Sequence, residues 1–200
     1  MEVISKNRNI ILISCFAALT AVGAFIKIPL PHVPVTLQTF FVLLAGNLLG
    51  YKNGAFSQVL YLALGLIGIP IFAYGGGPAY IFQPSFGYLL GYPAGAFIIG
   101  ALIKFLSTKG DDNSRRLNLG SLIFSDVVGV IVIFIFGLGY LYFNIESGLY
   151  LRLENLSTPI NWSLALKTAV FIFFPIDLVK VILATVVTLK MKHSSVFSQV

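Results

Sequence analysis

Between Leu117 and Tyr142 the chain runs for 26 residues with one charged side chain, Asp126. A hydrocarbon core of about 30 Å is crossed by roughly 20 apolar residues in helical form. A soluble domain could not hide so long an uncharged run on every face of a helix, so lipid must solvate part of it. The rest of the chain repeats the pattern. Hydrophobic residues make up 58% of the 200 positions and charged ones only 10%. This reads as an integral membrane protein in a single domain spanning 1–200. The fold class is all-α, with six transmembrane helices in a compact bundle, at about 9–27, 35–51, 54–70, 84–106, 117–142 and 162–190. Only Lys52 and Asn53 separate the second and third segments, which predicts a tight helical hairpin turning there. No segment alternates as a membrane β-strand does.

Charge placement sets the orientation. Lys6, Arg8, Lys52, Lys104, Lys109, Arg115, Arg116, Lys190 and Lys192 fall on one side if both termini are cytoplasmic, while the outer connections hold Lys27 and Arg152. That asymmetry is what the positive-inside rule expects. The net charge of +6 is then a topology signal beside anionic membrane lipid and calls for no nucleic-acid partner. The expected location is the cytoplasmic membrane, crossed several times.

Missing parts exclude several chemistries. No G-x-x-x-x-G-K-[ST] loop is present, so ATP cannot be held in the P-loop manner. His32 and His193 fall on opposite sides of the membrane and cannot share a metal. Ser85 has no histidine or lysine at matching depth to activate it, so an intramembrane hydrolase is disfavoured and the chain is read as no enzyme. Cys15 is the sole cysteine. It can form no intramolecular disulfide and is expected to fill space between helices. The basic, then apolar, N-terminus has the outline of a signal peptide, but the five spans that follow give it a place in the topology.

Charged groups at bilayer depth cost about 2.5–3.5 kcal/mol each on insertion scales and usually face a cavity or one another. Three lie inside expected spans: Asp126, Asp177 and Lys180. Asp177 and Lys180, three apart in FFPIDLVKV, share one helical face and can pair. Pro175 just before them removes a backbone donor and frees the Phe171 carbonyl. Two readings stand: a salt bridge that pins helices, or a ligand site in which the carboxylate accepts N–H donors and the ammonium donates to a carbonyl or carboxylate. Asp126 lies nearer the cytoplasmic end and could serve helix contacts alone. Two loops suit a cavity. IKIPLPHVPVTLQT carries Pro29, Pro31 and Pro34 and should be stiff and extended. IFAYGGGPAYIFQPSFGYLLGY is uncharged, with Tyr74, Tyr80, Tyr88 and Tyr92. Irregular apolar backbone is tolerated at membrane depth only when buried in protein or lining a cavity, so this loop is expected to dip inward; the alternative is an aromatic belt at the interface.

Four runs carry a family resemblance: PHVPVTLQTFFVLLAGNLLG at 31–50, YLALGLIGIPIFAYGGG at 61–77, PSFGYLLGYPAGAFIIG at 84–100 and FPIDLVKVILA at 174–184. Together they resemble the BioY family, the biotin-binding membrane subunits, or S components, of energy-coupling factor (ECF) transporters. The resemblance implies a six-helix bundle with a biotin pocket near its outer side, closed by the loops after the first and third helices. It implies that Asp177 accepts from the ureido N–H groups of biotin and that Lys180 donates to the ureido carbonyl. Gln83, Ser85 and Tyr88 would add polar and stacking contacts, and Gln38 is a further candidate. The third-loop region holds no arginine for the biotin carboxylate, which leaves the receiver of that group open. Biotin would be the transported ligand, with no cofactor. The implied partners are a transmembrane coupling subunit and two ATPase subunits, which places the energy source on other chains. Ala17 and Ala21, small residues four apart, would meet the coupling subunit or else pack within the bundle. The same architecture with another small vitamin, and a scaffolding protein with purely structural charges, are the competing readings.

Overall fold

The protein is described by a computed structural model covering residues 2–30, 33–109, 115–116, 118–147, 166–167 and 169–191. Within these, five α-helices form the bundle: α1 Glu2–Phe25, α2 Gln38–Leu66, α3 Phe86–Leu106, α4 Leu119–Ser147 and α5 Phe174–Met191. α2 packs against α1 and α3, α3 packs against α4, and α5 lies over α2 and α4. Four helical segments are long and apolar enough to cross a membrane: Asn7–Phe25, Phe86–Leu106, Leu119–Asn144 and Phe171–Met191.

Five continuous helical elements stand among the described residues where six were expected, because α2 runs through the reversal expected between the second and third segments and holds both of them. The segments read as 35–51 and 54–70 form one helical element with a reversal inside it. Gly50 breaks the helix with φ 74° and ψ −179°, a backbone conformation that costs an L side chain energy and glycine little. The chain doubles back there: the Gln38 side chain bonds that of Tyr61, 23 residues on, and a Cβ on Gly54 would lie 2.8 Å from the Ala45 carbonyl oxygen. Lys52 and Asn53, expected to make the turn, are helical. The polar pair marked the right neighbourhood, but a sharp reversal needs the residue that tolerates positive φ.

The final helix also differs from the expected 162–190. A π-helical turn, Ala169–Phe173, leads into α5, just ahead of Pro175. Proline supplies no N–H, and a wide turn at that point is a common way to accommodate the loss. Residues 162–165, Arg152, His32, His193 and the 148–161 connection lie outside the described residues. Cys15 is exposed on α1 and does not fill space between helices as expected.

Two small antiparallel ribbons mark opposite ends of the bundle. Lys27–Ile28 (β1) pairs with Val35–Thr36 (β2), matching Lys27 to Thr36 and Ile28 to Val35. Thr108–Lys109 (β3) pairs with Arg115–Arg116 (β4) at the other end, beyond α3. At the β1–β2 end, the connection after α2 folds inward as the sequence predicted. It makes a bridge between Phe72 and Gly75 and a 3-10 turn over Pro78–Phe82. Phe72 is fully buried there, edge-on to Tyr61 at 5.4 Å and 4.6 Å from the Tyr80 ring. Tyr74 alone of the loop's buried-or-exposed tyrosine pair faces out, at 45% exposure against 4% for Tyr80.

Candidate ligand-binding site

α5 starts with its charge pair already assembled. Asp177 stands in the first α-helical turn after the π turn. Three residues on, the Lys180 ammonium donates to Asp177 Oδ1 at 2.5 Å and to the Thr36 carbonyl at 2.8 Å. Each residue is only 6% exposed. Two charges taken out of water this far are tolerable only with close pairing and further hydrogen bonds. The Thr36 carbonyl supplies one such bond, and it ties α5 to β2. An ammonium has three N–H donors, so one remains after these two. The second Asp177 oxygen is likewise uncommitted among the described residues.

Around this pair, one cavity gathers side chains from every neighbouring element: Val33–Thr36 of the first connection, Gln38 and Thr39 of α2, Ala73 and Tyr80 of the inward loop, and Ser85 before α3. Tyr88, Leu89 and Tyr92 of α3, Phe134 of α4 and Phe173 of the π turn complete the wall. The cavity therefore has a charged floor, hydroxyl and amide groups on one flank, and aromatic faces on the other. Tyr88 sits 5.8 Å from Phe134 and 6.4 Å from Phe173, ring centre to ring centre. Small-molecule sites have this composition: mostly apolar walls with a few placed polar groups.

Of the residues singled out from sequence, Asp177, Lys180, Ser85, Tyr88 and Gln38 come together at this cavity. Gln38 is held by a relay. Its Oε1 accepts from the Thr36 hydroxyl at 2.9 Å, its Nε2 donates to the Tyr61 hydroxyl at 2.6 Å, and that hydroxyl donates to the Ile71 carbonyl at 3.1 Å. Gln83 lies at the end of the 3-10 turn and outside the cavity lining; its backbone N–H donates to Tyr80 and its carbonyl accepts from Phe86, both at 3.0 Å. Ala17 is 2% exposed and packs with Val42, Tyr61 and Leu62, with Ala21 beside it. The small-residue face of α1 thus turns toward the bundle interior.

Thr36, Thr39, Tyr80, Tyr92, Phe134 and Phe173 were not singled out as ligand-binding residues, although all but Phe134 stood in runs that were quoted. Uncharged groups on separate helices carry no spacing signal until the fold brings them together.

Asp126 belongs to a different cluster. It is fully buried, and its Oδ2 accepts from Asn47 Nδ2 at 3.1 Å and from the Thr185 hydroxyl at 3.4 Å. Asn47 Nδ2 also donates to the Thr188 hydroxyl at 3.2 Å. These bonds join α2, α4 and α5, and they give Asp126 the helix-contact role that was one of its two readings. Asp126 Oδ1 and Asn47 Oδ1 make no hydrogen bond there.

An apolar helical bundle with a buried charge pair in a loop-covered cavity has the architecture of a membrane protein built around a small-molecule site. The chain belongs to the BioY family, whose model matches residues 1–196. It is 33% identical to the biotin transporter BioY of Thermotoga maritima over 190 residues, which is 94% of this chain and 98% of that protein. It is 46% identical over 137 residues to the probable biotin transporter BioY of Lysinibacillus sphaericus, covering 68% of this chain and 66% of that one. The crystal structure of the S-component for biotin from an ECF-type ABC transporter superposes with a TM-score of 0.78, at 28% identity, over 98% of this chain and 96% of the other.

Proposed function

We propose that this chain captures biotin as the S component of an ECF-type transporter, holding the ureido ring on Asp177 and Lys180. One observation carries the reading: a buried carboxylate and ammonium on one helical face, each with hydrogen-bonding capacity left over, at the floor of an aromatic-walled cavity. A cyclic urea offers two N–H donors flanking one carbonyl acceptor. Asp177 accepts from an N–H, and the remaining Lys180 N–H donates to the carbonyl. Charge-assisted hydrogen bonds in a dry site are the strong kind, and they also set the ring's orientation. Tyr88, Tyr92, Phe134 and Phe173 flank the apolar body of the ligand, while Ser85 and Gln38 offer the polar edge.

In this reading the loop end of the bundle faces outward, both termini are cytoplasmic, and the membrane is the cytoplasmic one. A transmembrane coupling subunit and two ATPase subunits, on other chains, supply the energy. The inward face of Ala17 favours bundle packing over contact with that coupling subunit. Calorimetric titration of the purified protein with biotin tests the proposal, alongside mass spectrometry of any ligand that copurifies. Saturable binding of one biotin per chain is expected. A folded sample that ignores biotin but retains another small vitamin shifts the assignment to that vitamin, and one that binds none favours scaffolding.

A further inference from the structure

Biotin ends in a carboxylate, and neither the charge pair on the floor nor the loop tyrosines of the pocket account for it. Lys27 lies one strand away. In the β1–β2 ribbon it is paired with Thr36, the residue whose carbonyl holds Lys180. Paired residues in an antiparallel ribbon stand about 4.5–5.5 Å apart and project to the same face, and Thr36 is on the cavity wall. Lys27 and Lys180 are thus both neighbours of Thr36, Lys180 within the cavity lining and Lys27 across the ribbon, exposed and outside that lining. The Lys27 ammonium donates to the carbonyl of Ala73, itself a cavity residue, and lies 4.5 Å over the Tyr74 ring. That bond uses one of three N–H donors, and both contacts hold the ammonium at the rim where the two loops meet.

Other described cations are placed elsewhere. Lys52 and Lys104 stack on Tyr51 at the reversal of α2, at the far end of the bundle. Lys190 is in the last turn of α5. Lys167 is at the mouth end in sequence, but it is exposed and bonds no cavity residue among the described residues.

We infer that Lys27 receives the carboxylate of the ligand at the mouth of the pocket, making it the residue that selects for an acid tail. This rests on the biotin reading. The ureido ring enters first and meets Asp177 and Lys180; the tail points outward and ends at the loop rim. Lys27 then bridges three groups, the two loops and the ligand, so a charged tail also fastens the loops over the bound ring.

The test compares biotin with biotinamide, which keeps the ring and the tail but lacks the charge. A hydrogen bond to a charged group at a half-open rim is worth roughly a tenfold change in affinity. Wild-type protein should bind biotin about tenfold more tightly than biotinamide. Lys27→Met should lose that preference, biotin affinity falling about tenfold further than biotinamide affinity, whereas Lys27→Arg and Lys167→Met should both keep it. If Lys27→Met weakens acid and amide equally, Lys27 only latches the loops and the inference is overturned. It is overturned too if Lys167→Met is the variant that abolishes the preference. A wild-type protein that binds neither compound removes the biotin reading itself, a result distinct from either of these.

Discussion

Replacing Asp177 with Asn separates a ligand floor from a structural salt bridge. In the folded protein Lys180 has two acceptors, Asp177 Oδ1 at 2.5 Å and the Thr36 carbonyl at 2.8 Å. Asp177→Asn keeps the side-chain shape but strands an ammonium that is 94% buried with neutral acceptors only (6% exposed). Breaking one partner of a buried pair costs about 3–5 kcal/mol when the other charge has nowhere to go. Lys180→Met strands the carboxylate in the same way. Both single variants should therefore melt at lower temperature. The Asp177→Asn, Lys180→Met double variant removes both charges at once and should recover much of that stability, because neutral groups of similar volume often replace a buried pair without loss. Affinity should follow a different course. Truncating one side of a buried charge-assisted contact with a ligand costs about 2–5 kcal/mol, which is roughly 30-fold or more in dissociation constant. The double variant regains stability but offers the ureido ring neither charge, so its affinity should stay low. Calorimetric binding and thermal melting on the two singles and the double give both quantities. A double variant that is stable and binds biotin as wild type does refutes the site assignment.

Ala17→Leu should lower the melting temperature, since adding three carbons to a position packed against Val42, Tyr61 and Leu62 overfills it by about 1–3 kcal/mol; unchanged melting with weakened association to the coupling subunit would return Ala17 to the partner surface. Asp126→Asn should leave biotin affinity unchanged and hold or raise stability, because the amide can still accept from Asn47 and Thr185 and can also donate. Asp126→Leu takes the acceptor from the Thr185 hydroxyl and from one Asn47 N–H, the other keeping Thr188, and should cost about 1–3 kcal/mol by the same melting assay. Single cysteines at Asn53, Asn113 and Glu154, in a chain lacking Cys15, should label with an impermeant reagent from outside only at position 154. Outside labelling at 113 would reverse the orientation.

Much of this molecule was readable from its residues because lipid imposes strong rules. Apolar runs near the length of a bilayer pointed to α1, α3, α4 and α5, closely at both ends of α3 but 7 residues late at the start of α1 and 12 residues early at the start of α5. The i, i+3 spacing located the Asp177–Lys180 pair, since helical geometry alone puts those side chains together. The inward fold of 71–85 followed from a glycine-rich, uncharged loop that had to be covered. What escaped depends on tertiary partners or on single backbone angles. Gly50 was one glycine among 19, and nothing local distinguishes the one that must reverse a helix. The β1–β2 ribbon was hidden because Pro29, Pro31 and Pro34 pointed only to extended chain. The bond from Lys180 to the Thr36 carbonyl spans 144 residues and involves backbone, which carries no side-chain signature. Gln83 and Ser85 looked alike in sequence, but a 3-10 turn places one outside the lining and the other within it.

The two buried carboxylates impose different conditions on how the chain is made. Asp177 enters the bilayer with its counter-charge three residues away on the same helix, so the two form a neutral, self-contained pair. Asp126 has no such companion on α4. Asn47 precedes it by 79 residues and is in the membrane before α4 arrives, whereas Thr185 follows by 59 and reaches it only when α5 has been synthesised. An acidic side chain within a span costs up to about 2.5–3.5 kcal/mol on insertion scales, the upper figure applying at the helix centre. During synthesis, α4 therefore carries that cost with partial relief from α2 and waits for the last helix to complete the set. A chain stopped before α5 leaves Asp126 with its Asn47 bond but without the Thr185 one. The last helix to be synthesised therefore completes the hydrogen bonding of the helix before it.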